Sequence, residues 1–330
     1  MDRMISGIKP TGKPTLGNYL GAIKQFITYQ NDYELFVFIA DLHALTLPID
    51  QEELRENIKD LVAIYLAAGL DPNKVVIFKQ SDVPAHNQLE WILTCNTNLA
   101  ELTKMPQYKN FLEQHKNEAI PSGMLMYPSL MNADIILYDA KYVPVGIDQK
   151  PHIDLTRDIV DKFNKRYPNS FIAPEAILAR SGAKIMSLSD PTKKMSKSES
   201  DKGTIYLFDS KETVFKKFRK ATTDSEGRIY FNPETKPGIS NLLTIASAIT
   251  GKSISDIEEM FKDSADYGAF KTYVAEVVWE ELSKVQNRVE LFKHSSYINK
   301  VLHLGATKAN WIAEHKINYI YTKLGLKDNV

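Results

Sequence analysis

Leu35-Phe36-Val37-Phe38-Ile39-Ala40, closed at once by Asp41-Leu42-His43, is the stretch that decides the fold. Its apolar residues are consecutive, with aromatic and β-branched side chains and no alternating polar face. Such a run reads as a strand buried on both sides, which is the signature of a parallel sheet covered by helices. Upstream, Met4 to Ile8 is a second short apolar run, and Leu20, Ile23, Phe26 and Ile27 recur at helical spacing between Tyr19 and Tyr29. Downstream, Leu54, Ile58, Leu61, Val62, Tyr65 and Leu66 share one face of a helix from Glu52 to Gly69, whose glycine suits a C-cap, and Val75 to Phe78 is the next strand.

Further along, Glu90 to Leu102 reads as one helix, with Cys95 inside it as a small buried hydrophobe. Residues 105–123 lose periodicity between prolines and read as a mobile polar insertion. Met124 to Tyr138 is an apolar segment of fifteen residues with a single carboxylate, Asp134. Tyr142 to Val145 is a strand ending in Gly146-Ile147-Asp148-Gln149, and His152 to Phe163 resumes a helix. After Gly203 strand-like runs give way to helices at Lys211–Lys220, Ile239–Ile249, Ser255–Phe261, Phe270–Phe292 and Ser296–Leu324. The expectation is an α/β fold: a Rossmann-like, doubly wound parallel sheet over residues 1–203, then an α-helical domain over residues 204–330 whose last helices can pack back on the first.

Composition narrows the function classes. The 330 residues are 43% hydrophobic and 25% charged, ordinary for a globular chain, so extensive disorder is not expected. Lys+Arg and Asp+Glu are both 41, so any polyanion must be met by a local basic patch because no net charge attracts it. One cysteine excludes an intramolecular disulfide and a cysteine-rich metal site and fits a reducing compartment. Neither a leader-like N-terminus nor a membrane-spanning apolar run is evident, so a cytoplasmic protein without membrane contact is expected.

The chemistry-bearing residues cluster at strand ends and in one loop. Lys193-Lys194-Met195-Ser196-Lys197-Ser198 packs three ammonium groups and two hydroxyls into six residues, with only Met195 able to anchor them to a core. Such a run suits phosphoryl oxygens, although basic runs are commonly solvated surface. The turn from Pro10 to Asn18 ends in Thr15-Leu16-Gly17-Asn18 at a helix start: either a plain capped connection or a place where free N–H groups meet an anion. Asp41, His43, Asp148 and Gln149 follow strands, where open α/β sheets bind ligands; for His43 a packed histidine is an equal alternative. Asp134, alone in an apolar segment, either ties the fold together or recognises a polar group on a mostly apolar ligand. No Walker-type loop, G-x-G-x-x-G run or metal-ligand histidine spacing is present, which argues against P-loop hydrolases, dehydrogenases and zinc enzymes. Adenylyl transfer needs none of those parts.

Thr15-Leu16-Gly17-Asn18 resembles the HIGH signature, and Lys194-Met195-Ser196-Lys197-Ser198 the KMSKS signature, of class I aminoacyl-tRNA synthetases, in the family's order and about 180 residues apart. Ala133 to Tyr138, Val143 to Gln149, Gly182 to Leu188 and Lys236-Pro237-Gly238-Ile239-Ser240-Asn241-Leu242-Leu243 further resemble bacterial-type tryptophanyl-tRNA synthetases, essentially from end to end. The resemblance implies activation of L-tryptophan with ATP and Mg²⁺ and charging of tRNA(Trp) by a homodimer, with residues 204–330 as the anticodon-binding region. It implies that Lys9, Pro10, Thr11, Gly17 and Asn18 face ATP, that Gly146, Ile147 and Asp148 lie near the nucleotide and the tryptophan ammonium, and that Ile185 lies beside the adenine. Lys194, Met195, Ser196, Lys197 and Ser198 would form the triphosphate loop, with Lys194 and Lys197 as its catalytic lysines and no metal ligand from the protein. Asp134 would accept the indole N–H, Tyr127, Met131, Val143 and Val145 would line the ring pocket, and His43 and Gln149 would hold the amino acid. Many relatives have glutamine at the position of Lys9 and glutamate at that of Ile147, and the family's phosphate-facing lysine of the 104–116 region has no assigned equivalent. Tyrosine is the rival substrate, and a non-catalytic RNA-binding relative the rival class.

Overall fold

The structure, a computed structural model of the chain, describes residues 1–115, 119–178, 184–196, 202–264 and 266–328. Five strands, β1 (Arg3–Ile8), β2 (Glu34–Ile39), β3 (Val76–Lys79), β4 (Tyr142–Val145) and β5 (Glu175–Leu178), form one sheet ordered β3-β2-β1-β4-β5 with every pair parallel. The first half of the chain carries α1 (Leu16–Asn18), a π-helical stretch (Tyr19–Ile23), α2 (Lys24–Tyr29), α3 (Asp41–Ala44), α4 (Gln51–Ala68), α5 (Ala85–Thr94), α6 (Leu99–Leu102), α7 (Pro106–Gln114), α8 (Gly123–Ile136) and α9 (Lys150–Arg166). Helices α10 (Lys211–Arg219), α11 (Pro237–Thr250), α12 (Ile254–Met260), α13 (Gly268–Lys293) and α14 (Tyr297–Lys323) follow.

The run that opened the sequence explains the layering. Successive strand side chains point to opposite faces, so Leu35, Val37 and Ile39 enter one core with Leu61, Val62 and Ile64 of α4 and Val274, Val278 and Leu282 of α13. Phe36 and Phe38 enter the other with Leu89 of α5, Ile135 and Ile136 of α8, Ile159 of α9 and Ala309 and Ala313 of α14. Strand order reverses at β1, whose ladder with β4 is confined to Met4 opposite Tyr142. Beyond that pair the two carboxyl ends are free of each other, which is where such sheets open a crevice.

Several expectations change. The single helix over Glu90–Leu102 is two, α5 and α6, and Asn98 restarts the second with its N–H donating to Glu101 Oε2 at 3.1 Å. Cys95 closes α5 at an exposed position instead of lying in a core. The 105–123 region holds α7, with Pro106 in its first turn where a missing N–H costs nothing. Half-exposed β5 lacks the apolar run that marks the other strands.

The C-terminal helices pack back: α13 on α4 and α14 along β3. Gly305 makes the second contact possible, because a Cβ there would sit 1.8 Å from the Ile77 carbonyl oxygen. Gly305→Ala should therefore lower stability by about 3 kcal/mol, the upper end of overpacking costs. Helix propensity alone would raise it by ~1 kcal/mol, so the sign of the shift in the urea midpoint decides the matter.

Candidate active site

Asp134, on α8, is 1% exposed and gathers donors from three separate elements. Gln80 Nε2 and His86 Nδ1 reach Oδ1 at 2.7 and 2.6 Å, and His43 Nε2 reaches Oδ2 at 2.8 Å. Burial alone would raise the pKa of this carboxyl, but the hydrogen bonds and charge of His43 and His86 outweigh it and hold the group at about 2. His86 Nδ1 faces a carboxylate, which only accepts, and so carries a proton, while its Nε2 shares a 2.8 Å hydrogen bond with the Tyr138 hydroxyl. Oδ2 receives one donor and keeps room for another. Gln80 Oε1, His43 Nδ1, Ser129 Oγ, Asn132 Nδ2 and His152 Nδ1 are buried and have no hydrogen-bond partner among the described residues. Buried polar atoms of this kind call for a water or a polar ligand group to meet them.

Tyr127 is shared between this cluster and the cleft. Its hydroxyl shares a 2.8 Å hydrogen bond with His152 Nε2, its ring lies edge-on to His43 at 6.3 Å, and the Lys9 ammonium stands 5.5 Å from its centroid. Burial raises the Tyr127 pKa, and loss of water around Lys9 lowers that of its ammonium although the side chain is exposed. Met131 and Val145 are half-buried beside the second core, and Val143 is 4% exposed within it.

His152, 1% exposed, is pushed down to about 4 by burial first and by the nearby His43 charge second. Its folded pKa is below the unfolded 6.5, so its contribution is complete above pH 6.5 and is lost as pH falls toward 4. The loss is up to about 3 kcal/mol. His152→Gln should flatten urea stability between pH 7 and pH 4.5 relative to the parent; parallel profiles would contradict this.

On the phosphate side, Thr15 and Asn18 form a reciprocal cap: Asn18 N donates to Thr15 Oγ1 at 3.2 Å and Thr15 N to Asn18 Oδ1 at 3.1 Å. A Cβ on Gly17 would meet Thr15 Oγ1 at 3.5 Å, the Met195 carbonyl at 3.6 Å and Ile185 Cβ at 3.8 Å, all ordinary contacts. Packing within the chain therefore does not demand glycine there. Residues 185–187 pair with 193–195 as a short hairpin, with Met195 N donating to Ile185 O and Ser187 N to Lys193 O, both at 2.8 Å. Met195 is 3% exposed and Ile185 2%, so the methionine does anchor the loop. Leu16 N donates to Ile205 O, Leu207 N to Pro14 O and Thr204 Oγ1 to Ser196 O, so one extended segment stitches the first turn to the lysine loop. The expected domain boundary after Gly203 falls in this segment.

The lysine loop and the β4 end face each other. Lys194 Nζ lies 3.7 Å from Asp148 Oδ1, and Gln149 Nε2 donates to Asp148 Oδ2 at 3.0 Å. Burial opposes ionisation of Asp148, but the Gln149 hydrogen bond and the Lys194 charge lower its pKa overall. Gly146 and Ile147 are exposed at this strand end, Pro10 is buried and Thr11 half-buried after β1. Lys197 and Ser198, with Gly182 and Ala183, lie outside the described residues. Among the described residues no three His, Cys, Asp or Glu side chains are grouped to hold a metal ion.

Gln80, His86 and His152 carry no motif. Gln80 could have been flagged because it follows β3 directly, at the carboxyl edge of the sheet. Asp41, in contrast, is spent on the fold: it accepts from Ser81 N at 2.9 Å and from the Ser81 hydroxyl, tying the β2 end to the β3 end.

A parallel sheet whose strand order reverses at β1, with Lys194 of the hairpin facing Asp148 beyond β4 and a buried polar cluster at Asp134, has the layout of an α/β enzyme. The chain belongs to the family of class I tRNA synthetases (W and Y), which matches residues 2–283. It is 47% identical over 324 residues to the tryptophan–tRNA ligase of Listeria innocua serovar 6a, covering 98% of this chain and 97% of that one. Against the Bacillus anthracis tryptophan–tRNA ligase it is 45% identical over 327 residues, covering 99% and 98%. Among solved structures, Mycoplasma pneumoniae tryptophanyl-tRNA synthetase matches with a TM-score of 0.93 at 37% identity, covering 99% and 98% of the two chains. The Campylobacter jejuni enzyme complexed with ADP and tryptophan matches at 0.81 and 34% identity, covering 98% and 99%.

Proposed function

We infer that the chain is a tryptophan–tRNA ligase: it activates L-tryptophan with ATP and transfers the tryptophanyl group to tRNA(Trp). The observation that carries the site assignment is Lys194 facing Asp148 across 3.7 Å at the sheet reversal, beside the buried Asp134 cluster. A tryptophan carboxylate oxygen attacks the α-phosphorus and the bond to the pyrophosphate oxygen breaks; a hydroxyl of the tRNA's terminal ribose then attacks the acyl carbon, loses its proton, and the acyl–phosphate bond breaks to release AMP. Charge accumulates on phosphoryl oxygens in the first step, so the residues act by position and field rather than by covalent chemistry. Lys194 and Lys197 stabilise the leaving pyrophosphate, and Lys9, Thr11, Gly17 and Asn18 receive the nucleotide. Asp148 and Gln149 take the tryptophan ammonium, Tyr127, Met131, Val143 and Val145 hold the ring, and Asp134 Oδ2 accepts the indole N–H.

Magnesium enters as part of the MgATP substrate, held by phosphate oxygens. Residues 204–330 supply tRNA contacts in a homodimer, and a single cysteine fits a cytoplasmic setting; no helix among the described residues is long and apolar enough to cross a membrane. The test is exchange of pyrophosphate into ATP with each amino acid. Tryptophan should support it and tyrosine should not; absence of tryptophan-dependent exchange defeats the reading.

A further inference from the structure

The Lys236–Leu243 run, singled out in the sequence without a task, is a latch on the lysine hairpin. Met186 and Lys194 face each other in that hairpin as a pair whose own main-chain groups point away from one another, because the flanking residues make the ladder bonds. The outward N–H and C=O of Met186, a half-buried residue, would otherwise lack a partner in the hairpin. The side-chain amide of Asn241, 5% exposed on α11, satisfies both: Met186 N donates to Asn241 Oδ1 and Asn241 Nδ2 donates to Met186 O, each at 2.9 Å. One amide thus stands in for a third strand at the residue directly opposite Lys194.

The latch has a rigid root. Lys236, 2% exposed, donates to Asp224 Oδ1 at 2.8 Å and to Glu226 Oε2 and the Tyr267 hydroxyl at 2.9 Å. A Cβ on Gly238 would lie 2.1 Å from the Thr222 carbonyl, so α11 starts flush against the 222 segment. Thr222 itself donates from N to Leu188 O and from Oγ1 to Ser189 O, both at 2.8 Å. The hairpin is therefore gripped at 186 and at 188–189 by residues that follow the sheet domain in sequence, and its far strand carries Lys194.

We propose that Asn241 is a positioning residue for amino-acid activation, holding Met186 so that the Lys194 ammonium is presented to the triphosphate of MgATP. This rests on the reading that Lys194 meets that triphosphate. Asn241→Leu keeps the side-chain size and removes both hydrogen bonds. In the full-length protein it should lower kcat of tryptophan-dependent pyrophosphate exchange at least tenfold, leaving tryptophan affinity measured without ATP within twofold. In a Lys194→Ala background the same substitution should cost less than twofold, because its effect travels through that ammonium. Equal losses in both backgrounds, or weakened tryptophan binding, would make Asn241 merely structural and overturn the proposal. If Asn241→Leu does not fold, Asn241→Asp, which keeps the acceptor for Met186 N and replaces the donor to Met186 O by a carboxylate oxygen, is read by the same criteria. A parent protein inactive in exchange would instead defeat the assigned activity, so the two failures are distinct.

Discussion

Asp134→Asn should lower kcat/KM for tryptophan by about 100-fold or more, with the KM for ATP within threefold of the parent. The reasoning starts from the donor count. Gln80, His86 and His43 all point N–H groups at this carboxylate, and Oδ2 is the atom with room for a fourth. An asparagine supplies one oxygen and one NH₂, so in a site 1% exposed either His43 must move its proton to Nδ1 to accept from the amide or a donor faces a donor, and the NH₂ side no longer accepts from an incoming N–H. Breaking a buried charged hydrogen-bond network costs about 3–5 kcal/mol, shared between folding and ligand binding. If Asp134 receives the indole N–H as proposed, discrimination should suffer more than affinity: the carboxylate would stay unpaired against a ring without N–H, whereas the amide can donate as well as accept. Phenylalanine should therefore gain relative to tryptophan in the variant. A folded Asp134→Asn protein with tryptophan kcat/KM within threefold of the parent would remove Asp134 from recognition and leave it as a fold tie.

Lys194→Ala should cut kcat of pyrophosphate exchange about 100-fold, roughly 3 kcal/mol in the barrier, with little change in tryptophan KM. Stability should hardly respond. The Lys194 and Asp148 side chains are both 55% exposed, and an ion pair that open contributes about 0–1 kcal/mol. That asymmetry is what a catalytic lysine requires: the pair with Asp148 is weak enough to be exchanged for phosphate when MgATP arrives. Thermal melting and single-turnover activation on the same preparation separate the two. A large drop in melting temperature with unchanged chemistry would assign Lys194 to the fold.

The layered sheet was legible from Leu35–Ala40 because strands buried on both faces leave an uninterrupted apolar run. Half-exposed β5 was not, since Glu175–Leu178 looks like any surface stretch. Cys95 shows the limit of treating a residue type as a location: its helix ends at that position and leaves it exposed. In the site, residues written as contiguous signatures were readable, Thr15–Asn18 and Lys194–Ser196 among them. Gln80 and His86 belong to no motif, and the one signal available was the place of Gln80 directly after β3.

By itself the sequence determined the class of the fold, the phosphate-suited loop and the oddity of a lone acid at Asp134, because periodicity and local composition record what a single element buries and exposes. Only the tertiary structure decided what that acid meets. His43, Gln80 and His86 come from three different elements, and their hydrogen bonds depend on distances and directions that no spacing along the chain encodes. The same holds for Asn241, which is 55 residues from Met186 in sequence and 2.9 Å from it in space. Hydrogen bonds act at contact range and in fixed directions, so the pairing of distant polar groups is settled only when the cores on both faces of the sheet have closed.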